Sequence, residues 1–336
     1  MEENITNICF IIGTRPQYVK LKPIHDYLNV VGCKFFVIDT NQHYSDNMSK
    51  KFVDEFNLKI DYNLSSPNVN SVDFISESIN CLSKILVEEK PSVVVVFGDT
   101  NTTLAGALAT NKNGFRLAHI EAGMRCWDKR RPEEVNRIIT DVLSDIHFVI
   151  REEDSKNVSN PVCVGDMEVF LLNQMYTEGR IAKDQKEDYI LMTIHRDENV
   201  KYDRLCHIFN SCMLSGQKFI FPIHHRTKLF IQKNNIKIPK NIQVIEPLTY
   251  FGIANSLSKC KAVFSDSGGI LQTMPFFGKK CLVPLNCIEC EDLLTLGYAK
   301  LGYDFEWLLK TDISNDRSLH YVPDGCKIIY EHLKGK

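Results

Sequence analysis

An excess of charge of either sign is what this sequence most plainly lacks. Lysine and arginine number 40 against 42 aspartates and glutamates, a net charge of −2. Such a balance leaves no electrostatic footprint for nucleic acid or for an anionic membrane. Long apolar runs are missing too, since none approaches the ~18 residues that suggest a membrane span. The opening residues, MEENITNICF, have neither the positive start nor the apolar stretch of a secretory signal. The expectation is a cytoplasmic protein without a nucleic-acid or membrane partner. Paired metal-ligand cysteines are also scarce. The 12 cysteines are scattered, and Cys9, Cys81, Cys163 and Cys281 lie in apolar stretches, where a thiol behaves as a small hydrophobe. The one CxxC, Cys287–Cys290, has no second pair nearby to complete a zinc site and no thioredoxin-like setting. Reduced thiols are expected, with no metal.

A chain of 336 residues, 44% apolar and 24% charged, can form two soluble domains with separate cores. Apolar runs alternate with helix-like stretches throughout. Ile8–Ile12 closes on Gly13-Thr14-Arg15-Pro16, where Pro16 suits a first helical turn, and Arg15 and Lys20 place cations near that helix start. Phe35–Ile38 ends in Thr40-Asn41-Gln42-His43. Ile75, Ile79, Leu82 and Leu86 recur at helical spacing. Val93–Phe97 reads as a strand buried on both faces and ends in Gly98-Asp99-Thr100, where Asp99 suits a helix cap or a ligand. Ile146–Ile150 is a further strand. Polar residues 178–188 read as a linker, after which the alternation resumes: Ile190–Ile194 before His195-Arg196, Phe219–Ile223 before His224-His225, Ile242–Ile245 before Glu246-Pro247-Leu248-Thr249-Tyr250, and Ala262–Phe264 before Ser265-Asp266-Ser267-Gly268-Gly269. This order predicts an α/β protein of two doubly wound, Rossmann-like domains, 1–177 and 189–322.

His119–Arg137, HIEAGMRCWDKRRPEEVNR, stands apart from these runs. It carries Glu121, Glu133 and Glu134 with five cations, Arg125 and Arg137 among them. Most charge runs are solvated faces, and Glu133 with Arg137 has the spacing of a plain helix ion pair. Yet the run follows a strand-like stretch and leads into a helix begun by Pro132, and functional groups of open α/β sheets gather at such carboxyl ends. It is therefore read as an active-site segment. The Ser267-Gly268-Gly269 turn suits a phosphate, because small residues let the backbone approach an anion. His224 ends a strand, and His225 stands beside it without further support. Two α/β domains with polar strand ends facing one cleft suit a nucleotide-sugar enzyme, and pattern alone goes no further.

In order along the chain, Gly13-Thr14-Arg15-Pro16 with Lys20, Gln42-His43, Gly98-Asp99-Thr100, HIEAGMR from His119 and PEEVNR from Pro132 resemble the UDP-N-acetylglucosamine 2-epimerase family. Thr193-Ile194-His195-Arg196, Pro222-Ile223-His224, Glu246-Pro247-Leu248 and Ser265-Asp266-Ser267-Gly268-Gly269-Ile270 continue the resemblance. It implies a GT-B-like pair of Rossmann-type domains, a last helix (323–336) crossing back to the first domain, a homodimer, and no cofactor. It also implies epimerisation at carbon 2 of a UDP-linked 2-acetamido sugar, by elimination and re-addition of UDP, in glycan precursor synthesis. By the same resemblance Asp99, Glu121 and Glu133 are acid–base candidates, with Lys20 and His224 beside them in the catalytic set. Arg15, Gln42, Arg125, Arg137, His195, Tyr250, Ser267, Gly268, Gly269 and Thr273 are candidates for binding substrate and UDP.

The resemblance breaks in the second half. Thr273 stands where the family's glutamate grips the ribose, and one hydroxyl replaces a carboxylate. In 285–292 both family arginines are absent, at Leu285 and Cys290, while Glu289 remains. The alternatives are a hydrolysing epimerase that releases UDP and free sugar, a glycosyltransferase on the same scaffold, and a non-catalytic sugar-nucleotide-binding protein.

Overall fold

The computed structural model describes residues 7–42, 52–64, 70–182, 186–288, 292–310, 313 and 320–334. The chain divides into two compact units, Met1–Leu171 with His320–Lys336, and Leu172–Leu319. Each is a parallel sheet with helical crossovers.

In the first unit the strands are β1 (Asn7–Ile12), β2 (Lys34–Asp39), β3 (Tyr62–Asn63), β4 (Val93–Phe97), β5 (Leu117–Ala122), β6 (Ile146–Val149) and β7 (Pro161–Cys163). They lie in the order β3-β2-β1-β4-β5-β6-β7. β1, β4 and β5 are buried along their whole length, which is why they read as unbroken apolar runs rather than alternating ones. The chain builds outward from β1 in one direction and then returns to its other side at β4. That reversal opens a crevice at the carboxyl ends of β1 and β4, the place where doubly wound sheets bind ligands. The turns Gly13-Thr14-Arg15 and Gly98-Asp99-Thr100 lie there.

The crossover helices follow from local chemistry. Asn70 accepts from the backbone N–H groups of Val72 and Asp73, capping Ser71–Glu89. This helix buries Phe74, Ser78, Leu82 and Leu86, one residue per turn along a single stripe, with Ile75 and Ile79 at its border. Helix Asn101–Lys112 is capped by Thr100, whose hydroxyl accepts from Thr103 N. Of the two readings open to Asp99, cap or ligand-facing group, the cap is taken by its neighbour Thr100, and the Asp99 carboxylate turns to Arg137. Helix Gly325–Lys334 packs on helix Arg15–Val30, with the Tyr27 and Tyr330 rings 5.9 Å apart. A side chain on Gly325 would come within 2.5 Å of the Val164 carbonyl oxygen, so only glycine allows the last helix to start so close to the strand end.

The second unit has β8 (Ile190–Thr193), β9 (Phe219–Pro222), β10 (Ile242–Ile245), β11 (Ala262–Ser265), β12 (Cys281–Val283) and β13 (Ala299–Leu301), in the order β10-β9-β8-β11-β12-β13. The same reversal occurs between β8 and β11. Its core gathers Phe209, Phe219, Phe221 and Phe264 with Ile190 and Leu282. Described parts of 178–188 lie against helix Tyr250–Lys259: Ala182 N donates to Asn255 and Glu187 N to the Lys259 carbonyl. Among the described residues no helix is long and apolar enough to cross a membrane.

Ile329 is wholly buried in the last helix. Ile329→Ala should cost about 2–5 kcal/mol, seen in urea titrations as a lower midpoint for the first unit's transition.

Candidate active site

Four charged side chains meet at the carboxyl ends of the first sheet. Lys20, from the second turn of its helix, donates to the Glu121 carboxylate, and both are buried. Arg137 reaches Asp99 at 2.6 Å and Glu121 at 3.9 Å. The backbone prepares this meeting. Glu121 has φ +73 at a register shift between Ile120 and Ala122, so a bulge turns its side chain out of the strand's alternation. A left-handed glutamate is strained, and such strain gathers at functional sites. Gly98 leaves the space, since a Cβ there would lie 3.0 Å from Glu121 Oε2.

The electrostatics separate the carboxyls. For Glu121, burial favours the neutral acid, but Lys20 and Arg137 outweigh it and hold the pKa below the usual range. Burial pulls Lys20 down, yet Glu121 and Asp166 outweigh that and hold it above its ordinary value. In the Asp99–Arg137 pair the two directions conflict: contact favours both charges, yet Asp99 is raised. Burial wins for Asp99, with Arg137 opposing and the Glu121 charge adding to the rise. Environments that push neighbouring carboxyls apart suit one to carry a proton and another to remain an anion. Glu133 is exposed in the first turn of helix Pro132–Leu143; Arg137 pairs with Asp99 rather than with Glu133, as the i,i+4 spacing had suggested.

A second buried group supports the first. His119 places Nδ1 2.7 Å from Asp141 and Nε2 2.7 Å from the Gly98 carbonyl oxygen. Asp141 also pairs with Arg125 at 2.6 Å and accepts from Gly123 N. Arg125, expected among the substrate-binding cations, thus has its guanidinium on a buried carboxylate. Asn136 donates to the Asp99 carbonyl oxygen. Gln17 accepts from Gly13 N and Thr14 N and donates to the Phe97 carbonyl oxygen and the Thr100 hydroxyl, joining the turns after β1 and β4. Gln42 accepts from Thr102 N and its hydroxyl, and Arg15 lies over the Phe52 ring. His43 lies outside the described residues.

Sequence reasoning passed over Gln17, Asp141 and Asp166. Asp166 accepts from Glu168 N at 2.8 Å and its own N–H donates to the His320 carbonyl oxygen. Burial raises its pKa, opposed by Lys20. Gln17 sits at the Thr-x-x-Gln spacing of a capping box, and Asp166 bonds locally to Glu168 N. Yet the contacts that bring them to the site, Gln17 with Phe97 and Thr100 and Asp166 with Lys20, are distant in the chain, as are those of Asp141.

In the second unit the organising group is Asp266, wholly buried at the end of β11. It accepts from His195 N, Arg196 N and Asn199 Nδ2, and His195 Nδ1 is 3.2 Å away. The His195 and His224 rings lie 5.9 Å apart. His224 caps helix His225–Lys233, accepting from Arg226 N; His225 is the exposed first residue of that helix. Tyr250 begins helix Tyr250–Lys259. Ser267 N donates to the Ser265 hydroxyl and precedes the short helix Gly268–Thr273. A Cβ on Gly269 would meet nothing within 4 Å, so packing does not demand glycine there and the backbone stays open to approach.

A model of the family described as UDP-N-acetylglucosamine 2-epimerase matches residues 31–286. The chain belongs to this family. It is 35% identical to a UDP-N-acetylglucosamine 2-epimerase homolog of Methanococcus maripaludis, over 87% of each chain. It is 32% identical to UDP-2,3-diacetamido-2,3-dideoxy-D-glucuronate 2-epimerase of Pseudomonas aeruginosa, over 86% of each. The crystal structure of the Methanocaldococcus jannaschii UDP-GlcNAc 2-epimerase with UDP-GlcNAc and UDP superimposes with a TM-score of 0.84 at 30% identity, covering 98% of this chain and all of that one.

Against this 2-epimerase family pattern, Thr273 is buried and its hydroxyl donates to the Gly269 carbonyl oxygen at 2.7 Å. Its proton is thereby used on the backbone. Leu285 N donates to Val283 O, and Cys287 is exposed. Glu289 and Cys290 lie outside the described residues.

Burial raises the pKa of Asp141, but His119 and Arg125 outweigh it and hold the carboxyl low. Its stabilisation is therefore complete above the ordinary aspartate pKa and is lost as pH falls through the depressed value. Asp141→Asn should cost about 3–5 kcal/mol at neutral pH, because it leaves buried charge unpaired. Melting temperatures across an acid series should show the gap between the two proteins narrowing below about pH 4.

Proposed function

We propose that this chain is a non-hydrolysing 2-epimerase of a UDP-linked 2-acetamido sugar, UDP-N-acetylglucosamine or a diacetamido relative. The observation that carries the reading is the buried Lys20–Glu121 pair interlocked with Arg137 and Asp99, with Glu133 open beside them. Inverting carbon 2 requires removal of a weakly acidic proton and its return to the other face. The C1–oxygen bond to UDP breaks as the C1–C2 double bond forms, and UDP then adds back to C1. Asp99, with raised proton affinity and a side chain 26% exposed, is suited to take the proton. Glu133, in contact with solvent, is suited to return one. Glu121, held as an anion, fixes Lys20 and Arg137 as the positive frame for charge that develops on the sugar.

The second unit is assigned the nucleotide: His195, His224 and the Ser267-Gly268-Gly269 turn for the diphosphate, and Tyr250 and Thr273 near the nucleoside. Arg15 and Gln42 complete the ligand contacts in this reading. Altered residues at Thr273, Leu285 and Cys290 point to a grip on UDP that differs from the family's usual one. A homodimer, a cytoplasmic location and supply of glycan precursors belong to the same proposal.

Proton NMR with UDP-N-acetylglucosamine in deuterated water tests it. The carbon 2 proton should exchange and the UDP-linked manno isomer should appear; free sugar with UDP would mean the hydrolysing reaction instead. Asp99→Asn and Glu133→Gln should each slow exchange by about a hundred- to ten-thousand-fold. The rate should fall as pH drops through an Asp99 pKa above the ordinary aspartate value, since the base must be ionised. Absence of exchange with UDP-N-acetylglucosamine and with its 3-acetamido analogue would sink the reading.

A further inference from the structure

Trp127 has φ +60, a left-handed conformation that costs a bulky residue about 1–2 kcal/mol. The residue is nevertheless 72% exposed. Strain is ordinarily tolerated where packing repays it, and here most of the residue lies in water. The surrounding contacts impose the conformation. Glu134, only 2% exposed, accepts from both Cys126 N and Trp127 N at 2.9 Å. Burial raises the Glu134 pKa, but these two N–H groups outweigh it and keep it low. On one side Arg125 is tied to Asp141. On the other, Asp128 closes a turn through its carbonyl oxygen to Arg131 N at 3.0 Å and its carboxylate to Arg130 N at 3.1 Å. A buried carboxylate and two anchors thus project a large apolar ring outward, five residues before Pro132 and next to the turn carrying Glu133.

Resting on the reaction proposed above, we infer that Trp127 closes over the amino-sugar ring of the substrate, and that Glu134 is the positioning residue that presents it. An indole face suits the C–H face of a sugar, supplying a rigid apolar surface at small entropic cost. A cover there also matters to the chemistry. After the C1–oxygen bond breaks, the glycal and UDP are separate molecules, and only exclusion of water and retention of both return the product. The two conserved-mass outcomes are re-addition, giving the epimer, and escape, giving free UDP and glycal.

The chain has two tryptophans, Trp127 and Trp307, the latter in the second unit with Lys280 over its ring. Trp307→Phe therefore leaves Trp127 as the sole tryptophan, excited selectively over the tyrosines at the red edge of the absorption band. Saturating UDP-N-acetylglucosamine should shift its emission to the blue, while UDP alone should not. Trp127→Ala should lower kcat/KM by about tenfold, chiefly through KM, and raise the ratio of free UDP and glycal to epimer. Trp127→Phe should restore most of both, and Glu134→Gln in the single-tryptophan chain should abolish the shift. Unchanged emission in a Trp307→Phe chain that still exchanges the carbon 2 proton would overturn this inference alone. An equal shift with UDP would overturn the sugar assignment. No exchange in the parent chain with UDP-N-acetylglucosamine or its 3-acetamido analogue would remove both readings together.

Discussion

The buried ion pair between Lys20 and Glu121 is the constraint on which the first unit's site depends. Neither charge could stay out of water alone, since an unpaired buried charge costs several kcal/mol. Lys20 comes from the helix after β1 and Glu121 from the end of β5. Pairing them therefore holds two separate elements in one arrangement. Arg137 extends the pairing to Asp99 at the end of β4, so three strand ends share one electrostatic solution. Removing Glu121 would take from Lys20 its only contacting carboxylate among the described residues and from Arg137 one of its two.

Around that core the backbone has accepted strain and lost side chains to make room. Glu121 is left-handed at a bulge, and Gly98 gives up its side chain where the Glu121 carboxylate passes. Gln17 and His119 then secure the turns by hydrogen bonds to main-chain atoms. Polar groups buried in this way are all-or-none: satisfied, they make the site rigid, and partly satisfied they destabilise it. The Arg137 Nε atom is buried without a protein partner among the described residues.

The second unit solves a related problem differently. Among its described residues a buried anion, Asp266, receives backbone and side-chain donors from the turn after β8. The His195 turn is thereby fixed to the end of β11. Thr273 turns its hydroxyl back onto its own helix, so the departure from the family's glutamate leaves a short, self-bonded side chain there.

Much of this was legible in the chain itself. Val93–Phe97 and Ile190–Ile194 announce buried parallel strands because burial on both faces removes alternation, and that is a local signal. The charged segment from His119 was recognisable because so many ionic groups beside a strand end need partners. Partner choice was not legible. Glu133 and Arg137 have ideal helix spacing, yet Arg137 turns to Asp99, thirty-eight positions earlier; Asp99 looked like a cap, yet Thr100 does the capping. Asp141 carried no mark at all, and the Thr14-x-x-Gln17 spacing marked only a helix start. Sequence determined the order of strands, turns and helices, because hydrophobic periodicity and turn chemistry act between near neighbours. Only the tertiary structure decided which charges meet, because burial and Coulombic pairing depend on distances that the sheet order sets.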